Sequence, residues 1–132
     1  MDAEKDLLLV KKIYTDFTRG DAQAILGVLY DNIDWFVSGS KEIPYSGQYK
    51  GHEEVLNFFQ SLGNSIEVVE FEPKQFVQGG GKVIVFGREK MRVKKTGRTF
   101  EDEWIHTWDI REGKVIAFRE YFDEEIVAKA FA

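Results

Sequence analysis

A chain of 132 residues, 43% apolar and 31% charged, is the size of one domain over 1–132, and two independent cores do not fit in it. Its 18 Lys and Arg against 23 Asp and Glu leave a formal charge of -5, which disfavours nucleic acid and anionic lipid as partners. The absence of Cys excludes disulfides and cysteine-ligated zinc, two His cannot complete a metal site alone, and no apolar run is longer than Leu7 to Val10, so no membrane span is expected and the chain is read as cytoplasmic.

From the N-terminus, residues 5–17 place Leu7, Val10, Ile13, Tyr14 and Phe17 at helical spacing, and Gly20 ends the predicted helix. Asp21 then caps a second short helix over 22–29 with Ile25, Val28 and Leu29 on one side, so that the two form a helical hairpin. A short strand over 32–37 leads into residues 38–50, rich in turn formers and without a period, which read as a lid or binding loop. A third helix over 52–62 repeats the stripe with Val55, Phe58, Phe59 and Leu62, and stops at Gly63. The period then changes to two. Strands are predicted over about 66–77, 83–95, 99–110 and 114–122, followed by a closing helix led by Asp123, Glu124 and Glu125. Three helices and then an antiparallel meander make an α+β domain with helices on one face of a curved sheet.

A two-residue turn at Thr96-Gly97 sets Arg92 opposite Glu101 and Lys90 opposite Glu103 on one face. The other face then pairs Val85 with Trp108, Gly87 with His106 and Glu89 with Trp104, so charge separates from aromatic as a one-side-buried sheet requires. The Lys and Arg between 82 and 98 read as a solvated ribbon face, not a nucleic-acid patch. In the next hairpin a glycine bulge within 111–113 puts Ile116 beside Trp108, Phe118 beside His106 and Glu120 beside Trp104, whereas a two-residue loop brings Arg119 and Tyr121 to that face. The bulged form joins apolar to apolar and is the one adopted. It makes Glu89, Trp104 and Glu120 a row across three strands, with His106 diagonal to both carboxylates.

A carboxylate against Trp104, Phe118 and Phe122 loses hydration, and a second nearby penalises ionisation further, so at least one is expected to titrate upward; imidazole already titrates near neutrality. Groups poised in this way suit general acid/base catalysis, which makes Glu120, His106 and Glu89 the candidate catalytic residues. The plainer alternative is structural, with Glu120 hydrogen-bonding Trp104 or His106. His52 reads as a first-turn residue with no chemistry. Trp35 belongs to the core or to the far wall of a pocket, and Tyr45 and Tyr49, near Pro44 and Gly47, are candidates for touching a ligand. With Trp104, Trp108, Phe118, Phe122 and Tyr14 they complete the expected ligand-binding wall.

The helix ending in Arg19-Gly20-Asp21, the stretch Leu29-Tyr30-Asp31-Asn32, the loop Pro44 to Gly51 and the ending Gly113 to Asp123 together resemble the SnoaL-like and ketosteroid-isomerase-related branch of the nuclear transport factor two-like superfamily, over most of the chain. The resemblance implies a cystatin-like conical α+β barrel around an apolar pocket. It also implies a homodimer through the outer sheet face, partly covering Lys90, Arg92, Glu101 and Glu103; no cofactor or metal is expected. SnoaL-like polyketide cyclases close a ring by taking a proton next to a carbonyl, using a pocket His and an Asp on the last strands; His106 and Glu120 stand at those positions. The ketosteroid isomerase pattern is broken, since its base falls on Phe36, its helical Tyr on Ile13 beside Tyr14, and its protonated Asp on His106. Limonene-epoxide hydrolase resembles the ending Phe118 to Asp123, and Glu89 and Glu120 stand in for its acids, but its Arg position falls on Gly87 and Arg88 is expected on the other face. The expected function is a cofactor-independent isomerase or cyclase that moves protons beside the carbonyl of a small apolar molecule. The alternatives are a non-catalytic binding protein for a small hydrophobic metabolite, an association domain with a vestigial pocket and, behind these, an epoxide hydrolase.

Overall fold

The computed structural model describes residues 3–132. Helix α1 (Ala3–Thr18) buries Val10, Ile13 and Tyr14, the stripe its spacing predicts, and the chain turns where Gly20 takes a φ of 70°, a left-handed conformation open to glycine. The Asp21 carboxylate accepts the Ala24 amide at 3.0 Å and starts α2 (Ala22–Leu26). This helix is shorter than expected because Gly27 caps it and Leu29 is already extended, so strand β1 is Leu29–Val37. Residues 38–50 are not a free lid. Ser46 Oγ lies 2.8 Å from the carbonyls of Ser40 and Ile43, Ile43 and Tyr45 are buried, and Gly47–Lys50 pairs with β1 as strand β2. Helix α3 (Gly51–Ser65) follows, then β3 (Ile66–Gly79), β4 (Lys82–Val93), β5 (Thr99–Arg111), β6 (Lys114–Phe122) and α4 (Glu124–Phe131), whose first turn is capped by Asp123.

The strands form one curled, open sheet in the order β2-β1-β6-β5-β4-β3, in which β1 runs parallel to β6 and every other neighbour is antiparallel. The parallel pair joins the early hairpin to the late meander, bringing Trp35 beside Phe118 and Val37 beside Glu120. Two irregularities bend β3, one at Pro73, which has no amide to offer the ladder. The four helices pack on this sheet, and the cystatin-like conical α+β architecture is the one the resemblance implies. Among the described residues no helix is long and apolar enough to cross a membrane.

Both late hairpins keep their predicted faces and change their predicted partners. The β4–β5 connection is a four-residue turn over 94–97, closed by Val93 N donating to Arg98 O at 2.8 Å, where a two-residue turn was expected. Each partner slips by two, which preserves the face: Glu89 lies opposite Asp102 and not Trp104, Gly87 opposite Trp104 and not His106, Lys90 opposite Glu101, and Arg92 opposite Thr99. The β5–β6 turn is Glu112-Gly113, with φ of 51° and 78°, the doubly left-handed pair of a tight hairpin. Its bulge sits at Ile116 within β6, not in the turn. Phe118, Glu120 and Phe122 therefore still face inward, but Glu120 is directly opposite His106.

Trp104 lies flat over Gly87 because any Cβ there would collide with its ring and with the Glu72 carbonyl. Gly87→Ala is expected to cost about 1–3 kcal/mol through overpacking, read as a lower urea midpoint with an unchanged slope; an undiminished midpoint would place the indole elsewhere.

Candidate active site

The concave face of β5 presents Asp102, Trp104, His106 and Trp108 in alternation, all buried. The His106 ring stacks on Trp104 at 3.9 Å between centroids, and its two nitrogens face different partners. Nδ1 lies 2.7 Å from the Tyr14 hydroxyl, whose oxygen also accepts Trp108 Nε1–H at 3.0 Å. Nε2 lies 3.1 Å from Glu120 Oε2, in polar contact but off the line of a well-directed hydrogen bond. Helix α1 delivers Tyr14, β5 the imidazole and β6 the carboxylate.

The second acidic group is a pair. Glu89 and Asp102 face each other across β4 and β5, both buried. Glu89 is held well above the usual carboxylate range, chiefly by burial, then by the Glu120 charge and by its hydrogen bond to Asp102. Asp102 is pushed up to about 6, again mainly by burial, which the Glu89 hydrogen bond and the Asp123 amide oppose. Both carboxyls are thereby biased toward the protonated form. Tyr45 faces the same acids: burial first, then the charges of Glu89, Glu120 and Asp102, raise its phenol. Burial likewise raises Tyr14.

Tyr14, Tyr45, Glu89, His106 and Glu120 meet at a cavity of about 60 Å³, with Asp102 behind Glu89. Of the predicted residues, Glu120, His106, Glu89, Trp108, Phe118, Phe122, Trp35, Tyr14 and Tyr45 line it. Trp104 does not; it stacks between His106 and Phe71, as a backing wall. Tyr49 does not either, since its hydroxyl donates to the Tyr45 carbonyl at 2.9 Å, and its role is to hold Tyr45 in place. His52 has the plain role expected, with Nε2 2.9 Å from the Leu29 carbonyl. Arg88 lies away from the cavity, in ion pairs with Glu70 at 2.8 Å and Glu72 at 3.1 Å. At this size the cavity holds a few waters. A surface recess of about 290 Å³ adjoins it and shares Phe17, Ile25, Phe59, Leu62 and Ile66, so these side chains form the mouth. Among the described residues no group of three His, Cys, Asp or Glu is placed to hold a metal.

Asp102, the partner of Glu89 across the strands, is missed by sequence reasoning. The signal was present, because Asp102 shares the parity of Trp104, His106 and Trp108 on a strand whose Glu101 and Glu103 point outward. Phe71 was equally hidden: it lines the cavity and stacks on Trp104 at 5.0 Å, from an edge strand whose register depends on two bulges.

The SnoaL-like domain family matches residues 10–118. Over 100% of this chain and 99% of the other, the fold superposes with a TM-score of 0.91 and 33% identity on a nuclear transport factor two-like protein from Burkholderia xenovorans LB400. A candidate isomerase from Rhodopseudomonas palustris has a TM-score of 0.74 and 19% identity over 89% of this chain and 95% of that one. A candidate SnoaL-like polyketide cyclase from Mesorhizobium loti has a TM-score of 0.71 and 16% identity over 87% and 97%. No curated protein matches the chain.

The raised Glu89 and Asp102 carboxyls mean that the folded state keeps a proton which the unfolded chain releases above about pH 4. Their contribution to stability is therefore whole below that pH and declines as pH rises through and beyond 6. Glu89→Gln is expected to gain stability relative to the parent as pH rises from about 5 to 8, measured as the difference in melting temperature; a difference that does not change with pH contradicts a Glu89 carboxyl held above its ordinary range.

Proposed function

The chain belongs to the SnoaL-like domain family of the nuclear transport factor two-like superfamily, and on that premise we propose that it is a cofactor-independent isomerase or cyclase in which Glu120 takes a proton from the carbon beside a carbonyl of a small, mostly apolar molecule. The observation that carries this reading is the 3.1 Å contact of Glu120 with His106 on the wall of an aromatic cavity. The isomerase and cyclase descriptions of the structural neighbours support the same reaction class.

The Glu120 carboxylate stands beside the imidazole on a wall shared with Phe118 and Phe122, within reach of a molecule held in the cavity. Negative charge then develops on the substrate oxygen. Trp35 Nε1, buried on the cavity wall and without a partner among the described residues, is a free donor for it, and the Tyr45 phenol is a second. The proton returns from Glu120 to a different carbon, so acid and base are the same group and nothing is consumed. The protonated Glu89 keeps a second negative charge away from the base. Epoxide hydrolysis is disfavoured by the place of Arg88 among Glu70 and Glu72, outside the cavity.

The test uses deuterium oxide and a panel of small cyclic ketones, with exchange at the carbon beside the carbonyl followed by NMR and binding followed by quenching of tryptophan fluorescence. The protein is expected to accelerate exchange, and Glu120→Gln to reduce it by about 100-fold or more while binding stays within a few-fold. Unchanged exchange in Glu120→Gln contradicts the reading. Binding without exchange in the parent would mark the cavity as that of a carrier.

We also propose that two copies associate through the outer sheet face. Phe86, Ile105 and Tyr121 lie in one row across β4, β5 and β6, all exposed, with Phe36 against Tyr121. Sedimentation is expected to give a dimer that Ile105→Glu converts to a folded monomer; a monomeric parent at micromolar concentration contradicts the proposal.

A further inference from the structure

A neutral imidazole carries one proton, and the nitrogen that carries it decides what His106 can do for Glu120. The neighbours of the ring determine this. The indole nitrogen of Trp108 only donates, and it points at the Tyr14 oxygen from 3.0 Å. Tyr14 accepts there and has one proton left to give. The acceptor in reach is Nδ1 of His106, at 2.7 Å, and both hydroxyl and imidazole are buried. A proton on Nδ1 would aim two donors at one phenol oxygen and leave the phenol's own hydrogen without this partner. The remaining nitrogen, Nε2, faces Glu120 Oε2.

We propose that Trp108 and Tyr14 form a donor chain that locks His106 as the Nε2–H tautomer, so that the imidazole turns its N–H edge toward Glu120 and Glu120 alone is the base. Tyr14, expected from the sequence to touch a ligand, becomes a positioning residue together with Trp108. The groups facing the ring are Tyr14 from α1, Glu120 from β6, and Trp104 and Trp108 from its own strand, with the Glu89 and Asp102 pair on the same concave face. The inference rests on the proposed chemistry only for its purpose, and its test needs no substrate.

The test is a long-range proton–nitrogen spectrum of the full-length, nitrogen-labelled protein at neutral pH, with the two histidines told apart by His52→Gln. His106 is expected to show a pyridine-type Nδ1 and a pyrrole-type Nε2. Trp108→Phe removes the donor that commits the Tyr14 oxygen, and the two His106 nitrogen shifts are expected to move toward each other as the tautomers mix; Tyr14→Phe should do the same. A pyrrole-type Nδ1 in the parent, alone or with a pyrrole-type Nε2, overturns the proposal. So does a parental pattern retained in folded Trp108→Phe. Should Tyr14→Phe fail to fold, the parent spectrum and Trp108→Phe decide the matter by themselves. Failure here leaves Glu120 standing as a base, and failure of the ketone exchange leaves the tautomer standing.

Discussion

An imidazole and a carboxylate placed side by side away from water persist only while the groups around them meet their hydrogen-bonding and charge requirements. In this fold that constraint shapes the whole concave face. Tyr14 takes one imidazole nitrogen, Glu120 stands against the other, and Trp104 covers the ring. Trp104 lies flat because residue 87 is glycine. Burial pushes the nearby acids Glu89 and Asp102 toward their neutral forms, which limits the charge added beside the pair. Removing any one of these arrangements would expose the pair to water or to an uncompensated charge.

The same arrangement explains why the long helix and the sheet have to meet where they do. Tyr14 belongs to α1, Trp108 and His106 to β5 and Glu120 to β6, so one chain of contacts joins elements far apart in sequence. The parallel pairing of β1 with β6 closes the other side, laying Trp35 on Phe118 at 4.0 Å. The space left is small and its mouth is made of apolar side chains, Phe59 and Leu62 among them. A molecule larger than a few waters has to displace them.

Much of this was legible from residue types and parity. Alternation along 83–110 fixes which side chains face inward, and it places Glu89, His106 and the tryptophans on one wall whatever the exact register. Partner identity is a finer property, set by turn lengths. Lys94 to Gly97 turns in four residues where Thr96-Gly97 suggests two, and Ile116 carries a bulge that the glycine at 113 suggests for the turn. Both errors are even-numbered in effect, so faces survived and neighbours did not. That is why Glu120 was expected diagonal to His106 and stands directly opposite, and why Asp102 went unnoticed as the partner of Glu89. The strand Gly47–Lys50 was hidden for a different reason: four residues beside Pro44 and Ser46 carry no period of their own and become a strand only because β1 offers an edge.

The proposed chemistry requires one distribution of protons, with one on Glu89, one on His106 Nε2 and none on Glu120. Neutron diffraction from crystals grown in deuterium oxide at neutral pH reads it directly. Deuterium on the Glu89 carboxyl, with both Glu120 oxygens bare, is the predicted result. A deuteron on Glu120 with Glu89 bare would contradict the account and leave the cavity without its base.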